Sequence, residues 1–163
     1  MPKILVLGIG SPFQDDQLGW VVIKRLQESS RLQTFSSLQL QLKCVDRPGL
    51  QLLNLMQDAH IVFLIDALKL GSPIGSLHCL EADILESQDW VCNVPSSHAI
   101  GIVEALQIGR ALDLLPAEFL LYGIEIGMIA SQHFNLSPVI ADAIEELVRQ
   151  LEQDVLDKIS RSH

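Results

Sequence analysis

Five short apolar runs, separated by stretches with helical spacing, set the pattern of this chain. Ile4–Leu7 and Ile61–Ile65 are continuously apolar, as strands buried on both faces should be. Leu38–Val45 alternates, with Leu38, Leu40, Leu42 and Cys44 against Gln39, Gln41 and Lys43, which predicts a strand with one wet face. Gly75–Glu81 is shorter and mixed, and reads as an edge strand. Phe119–Ile126 is apolar around Gly123. Between these runs the spacing changes to three and four. A helix is predicted over Gln17–Ser29, with Leu18, Val21, Val22 and Leu26 on one face. Others cover Gly49–Asp58, burying Leu52, Leu53 and Met56, and His98–Leu115, stopped by Pro116. The last starts with Ser137 as N-cap and Pro138 at the first helical position. It runs through Ile140, Ile144, Leu147, Val148 and Leu151 into a charged tail ending at His163. Strands alternating with helices predict an α/β fold, a three-layer α/β/α sandwich on a mostly parallel sheet of about five strands.

With 163 residues and no linker, repeat or low-complexity tract, the chain is expected to form one domain, 1–163. A net charge of −9 opposes nucleic acid and anionic membranes as partners. Three scattered cysteines, Cys44, Cys79 and Cys92, form neither a disulfide framework nor a structural zinc site and suit a reducing cytoplasm. No apolar run reaches membrane-spanning length.

The stretch GIGSPFQDDQLG, residues 8–19, opens with a strand–glycine turn–helix arrangement typical of nucleotide sites. Its chemistry argues against that use. Position 13 is Phe where a third glycine is needed, Pro12 lacks an N–H, and no Walker lysine follows. Asp15 and Asp16 at the helix start would repel a pyrophosphate. Asp46 after the second strand is a lone acid and does not restore the motif.

Helix capping is the plain explanation of Asp15 and Asp16. A second acid in an equivalent place points further. Asp66 follows IVFLI, a strand apolar enough to be central, where a carboxylate is costly unless it is used. In an open parallel sheet Asp16 and Asp66 both fall at the carboxyl edge, where such sheets hold ligands. Two close carboxylates repel, and a bound cation resolves the repulsion. His98, at a loop-to-helix junction in NVPSSHAIG, is the best third ligand. His60 precedes the third strand on the opposite edge, His78 sits in the mixed strand, His133 in a loop, and His163 is terminal.

At these residues the chain resembles the hydrogenase maturation endopeptidases, which trim the C-terminus of the nickel–iron hydrogenase large subunit. ILVLGIGSPFQDDQLGW is similar to that family's glycine turn, acidic pair and following glycine. IVFLIDAL resembles its strand ending in Asp-Ala, and SSHAIGIVEAL its His-x-x-Gly helix start. LYGIEI and LSPVIADAIEELV resemble its closing strand and helix. The resemblance implies a metal site of two carboxylates and one histidine, which maps onto Asp16, Asp66 and His98. It implies that the metal read is the nickel already installed in the large-subunit precursor, with zinc or another divalent ion able to substitute in vitro. It also implies a cytoplasmic hydrolase. Ser11 departs from the family's usual Asn, Gln14 stands where a Gly is frequent, Gln17 replaces a frequent Gly, and the loop from Ser11 to Asp15 is one residue shorter.

No G-x-S-x-G elbow or H-E-x-x-H helix supplies another catalytic apparatus. Cys92 is expected to be a small buried residue, and Ser96 and Ser97 to cap the His98 helix. Trp20 is expected in the core, with a place on the cleft rim as the alternative. Asp16 and Asp66 are the catalytic candidates, either being able to act as base. A non-cleaving chaperone or metal-sensing module for the same precursor, and a metal-dependent peptidase of broader range, are the competing readings.

Overall fold

The computed structural model describes residues 3–87, 97–128 and 134–161, with residues 97–100 described as helix backbone only. Strands β1 (Ile4–Ile9), β2 (Leu40–Val45), β3 (Ile61–Leu68), β4 (Leu77–Glu81) and β5 (Glu118–Glu125) form one sheet in the order β2-β1-β3-β5-β4. All pairs are parallel except β4 against β5. The mixed run Gly75–Glu81 is the edge strand expected of it. A 3₁₀ turn, Gln14–Gln17, leads into α1 (Leu18–Gln27). The remaining helices are α2 (Gln51–Met56), α3 (Ala82–Leu85), α4 (Ser97–Ala111) and α5 (Pro138–Ser160).

Two apolar clusters cover the two faces of the sheet. On one, Leu18, Val22, Ile23 and Leu26 of α1 and Ile140, Ile144, Leu147 and Leu151 of α5 pack on Phe63, Ile65 and Ala67. On the other, Leu52 and Met56 of α2 and Ile102, Ala105 and Leu106 of α4 pack on Leu5, Leu7, Ile9, Val62, Leu64 and Leu68. Each fully buried aliphatic side chain contributes about 1.5–3 kcal/mol. The result is the three-layer α/β/α sandwich anticipated from the sequence.

The helix expected over Gln17–Ser29 forms as the slightly shorter α1, with the 3₁₀ turn leading into it. β3 continues past Ile65, because residues 66–68 go on pairing with Gly123–Glu125 of β5. Asp66 therefore lies within the central strand rather than after it. Alternation along β3 puts it on the α2/α4 face, with Val62, Leu64 and Leu68.

The approach of α1 to the sheet depends on two glycines. A Cβ on Gly8 would come 2.2 Å from the Gly19 carbonyl oxygen, and one on Gly19 would come 2.1 Å from that of Ile9. Only bare backbones allow α1 to begin directly over the ends of β1 and β3. That contact carries the 3₁₀ turn, and Asp16 with it, to the carboxyl edge.

Candidate active site

Asp15 and Asp16 divide their roles, and neither caps a helix with its side chain. Asp15 is buried, and its two oxygens accept from the Ser137 N–H and the Ser137 hydroxyl, each at 2.9 Å. Ser137 stands at the N-cap of α5 as expected, but its hydroxyl turns to Asp15 instead of its own helix. The negative charge still sits at the positive end of α5, where it is favourable.

Asp16 is held by Ser11. The buried Ser11 hydroxyl donates to Asp16 Oδ2, and the Ser11 N–H donates to the Asp16 carbonyl at 3.1 Å. The turn is anchored further by Gln17, whose side chain donates to the Phe134 carbonyl at 2.5 Å, and by Phe13 stacked on Phe134 at 6.0 Å. Gln14 has φ +39°, a left-handed conformation that glycine adopts without cost. This accounts for the glycine frequent at that place in the family that the sequence resembles.

Asp66 is completely buried, and its Oδ1 accepts from the Ala67 N–H at 2.8 Å. Its Oδ2 has no hydrogen-bond partner among the described residues. Burial pushes this carboxyl well above the usual carboxylate range; the Ala67 N–H pulls the other way, and the charge of Asp16 adds to the rise. The charge of Asp16 is thus felt at Asp66, where the 3₁₀ turn meets β3.

A buried carboxylate oxygen without a hydrogen-bond partner among the described residues, in the field of a second carboxylate, is chemistry that suits a divalent cation. The His98 side chain lies outside the described set, although its backbone stands in the first turn of α4. Among the described residues no three His, Cys, Asp or Glu side chains form a group that could hold a metal ion. Cys92, Ser96, His133 and His163 also lie outside the described residues.

The other candidates take ordinary places. His60 Nδ1 accepts from the Lys3 N–H at 3.1 Å, on the edge away from Asp66. Trp20 donates its indole N–H to the Val45 carbonyl at 2.9 Å, fastening α1 to the end of β2. Asp46 pairs with Arg47 at the surface.

Glu125, at the end of β5, escaped the sequence reading. It is buried, and accepts from the Leu70 N–H at 2.8 Å and the Gly71 N–H at 2.9 Å, with His78 Nε2 at 3.3 Å. It secures the loop that follows the Asp66 strand. Its signal was visible as the one acid inside the apolar run LYGIEI.

The sequence profile of the HycI hydrogenase maturation protease family matches residues 23–154. No curated protein matches the chain significantly. Among solved structures, the fold is similar to the hydrogenase maturating endopeptidase HybD from E. coli, at 20% identity and TM-score 0.78, over 96% of this chain and 93% of that one. It is also similar to the [NiFe] hydrogenase maturation protease HybD from Thermococcus kodakarensis, at 19% identity and TM-score 0.72, over 94% of this chain and 99% of that one. For HycI from Thermococcus kodakarensis KOD1 the identity is 18% and the TM-score 0.69, over 96% and 93% of the two chains. At these identities the structures share the fold, while the family match covers most of the sequence. The chain belongs to the hydrogenase maturation protease family and is a hydrolase of endopeptidase type.

Proposed function

We propose that this endopeptidase removes the C-terminal extension of a nickel–iron hydrogenase large-subunit precursor in the cytoplasm, using the nickel in that precursor as its recognition element. Asp16, Asp66 and His98 are the residues assigned to the metal, and Asp16 and Asp66 the carboxylates assigned to catalysis. The observation that carries this reading is Asp66 Oδ2, buried without a hydrogen-bond partner among the described residues and in the field of Asp16. A substrate that brings its own dication relieves that repulsion, and a metal-free precursor does not. The enzyme thereby distinguishes a loaded precursor from an unloaded one without a resident metal of its own. The substrate's nickel supplies positive charge and carbonyl polarisation at this edge. The protein supplies two oriented carboxylates, a buried floor that excludes water from Asp66, and the Ser11 hydroxyl that fixes Asp16.

Incubation with nickel-loaded precursor is expected to yield a product shortened at its C-terminus, read by mass spectrometry. The metal-free precursor should remain intact. A stable complex with no mass loss would instead make the protein a non-cleaving chaperone.

Ser11 offers a finer check. The isolated protein is expected to bind zinc weakly, in a form that a chelator removes, because two carboxylates and an imidazole form an open site. Ser11→Ala deletes the hydrogen bond that orients Asp16. Zinc affinity by calorimetry should fall by about tenfold, the scale of losing a group that orients a metal ligand. Unchanged affinity would leave Ser11 a loop residue only.

A further inference from the structure

A pocket of about 330 Å³ opens at the carboxyl edge on the α2/α4 face. Ile9, Pro48, Leu52 and Ile102 wall it, Gly49 and Gly101 bring bare backbone to it, and Arg47 borders it. Three of the walls are rigid: Ile9, Leu52 and Ile102 are 1%, 0% and 3% exposed and belong to the core of that face. The pocket is therefore preformed, as ligand sites usually are.

Among the described residues, the two glycines put no side chain of their own into it. Gly49 has φ +52°, and a Cβ there would meet nothing within 4 Å. A Cβ on Gly101 would meet only the Gly49 Cα, at 3.8 Å.

Its place ties it to the carboxylates. β1 and β3 pair in parallel with Gly8 opposite Ile65, so one further step sets Ile9 beside Asp66. Adjacent strands lie about 4.8 Å apart. Both side chains emerge on the α2/α4 face, since Leu5, Leu7 and Ile9 share that cluster with Val62, Leu64 and Leu68. Gly101 stands one helical turn after His98 on α4. A polypeptide crossing the edge at Asp66 thus has this pocket next to it.

We propose that the pocket is a specificity subsite that receives one aliphatic side chain of the substrate polypeptide, from a residue flanking the scissile bond. The inference rests on the reading that cleavage occurs at Asp66. Aliphatic walls favour a side chain of Val to Met size. Arg47, though ion-paired with Asp46 at 3.2 Å, opposes a Lys or Arg at the same place. The subsite thereby sets which peptide bond is presented to the carboxylates.

Filling the pocket tests this. Gly101→Leu adds a side chain where none stands and replaces glycine by a better helix former, so folding is expected to survive. Gly101→Ala adds only the Cβ and should shift behaviour less, in the same direction. Nickel-loaded precursors carrying Ala, Val, Leu, Met or Lys at either residue flanking the cut are compared by kcat/KM. At one of the two flanks, the unmodified enzyme is expected to favour the aliphatic residues over Ala by about 10–100-fold, and to reject Lys. Gly101→Leu should flatten this ranking through KM. A uniform loss with the ranking intact would overturn the inference, as would the absence of any aliphatic preference in the unmodified enzyme.

If no precursor is cut, the cleavage reading fails and binding decides the pocket separately. A fluorescent peptide spanning the precursor's C-terminal processing region should then bind Gly101→Leu about tenfold more weakly than the unmodified protein. Equal binding would dispose of the pocket as well.

Discussion

Replacing Asp66 by Asn is expected to stabilise the protein while removing its activity. The carboxylate is completely buried, with one oxygen unpartnered among the described residues and the charge of Asp16 felt there. An unsatisfied buried polar group costs about 1–3 kcal/mol, and more when charged; the Asn amide nitrogen takes the same place, so the substitution removes the charge contribution. For a chain of this size each kcal/mol moves Tm by about 2–4 °C. Asp66→Asn keeps the shape and the acceptor for the Ala67 N–H, so at neutral pH its Tm should exceed that of the parent by on the order of 5 °C. The pH dependence follows from the raised pKa. Native Asp66 holds its proton to higher pH than the unfolded chain does, so it binds more protons in the folded state and the parent loses stability as pH rises. The advantage of Asn should therefore vanish below the unfolded carboxylate range, near pH 4. It should grow with pH until native Asp66 ionises, then level off. Processing of nickel-loaded precursor should fall by about 10²–10³-fold, the scale of deleting one pre-aimed electrostatic group at a reacting centre. Calorimetric melts across pH and a product assay read both effects. Unfolding would make Asp66 a structural acid, and wild-type processing would remove it from the site.

Gly19→Ala should do the opposite to stability. The added Cβ would lie 2.1 Å from the Ile9 oxygen and 2.9 Å from the Ile65 oxygen. These are backbone atoms of the two central strands and cannot rotate away, so α1 must lift from the sheet. Overpacking of this kind costs about 3 kcal/mol, or roughly 6–12 °C in Tm. The lift also separates Asp16 from Asp66, so zinc affinity should fall with it. Gly101→Ala is the control, because among the described residues its Cβ finds no closer neighbour than 3.8 Å. A Gly19→Ala protein that melts like the parent would show that α1 has room to move.

Much of this architecture is legible in the sequence because its signals are local. IVFLI reads as a central strand from its unbroken apolar character, and Ser137-Pro138 marks the start of α5 through backbone preferences that need no partner. Asp66 stands out for the same reason, as a charge where burial is expected. What stays hidden depends on partners distant along the chain. The extension of β3 to Leu68 is set by β5, some 57 residues later by register. The separate fates of Asp15 and Asp16 are settled by Ser137 and Ser11, and nothing in the dipeptide distinguishes them. The pocket at Gly49 and Gly101 joins the end of a strand, a loop and two helices that share no motif.

The bond between Asp15 and Ser137 also bears on the birth of the enzyme. Its partners are 122 residues apart. A nascent chain leaves the ribosome from its N-terminus, so the turn bearing Asp16 emerges long before the residue that clamps its neighbour. Until the start of α5 emerges, Asp15 is a second loose carboxylate beside Asp16, and the turn that carries both lacks its clamp to Ser137. The turn that carries Asp16 is thus completed late, and partly synthesised copies lack the clamp that ties it to α5.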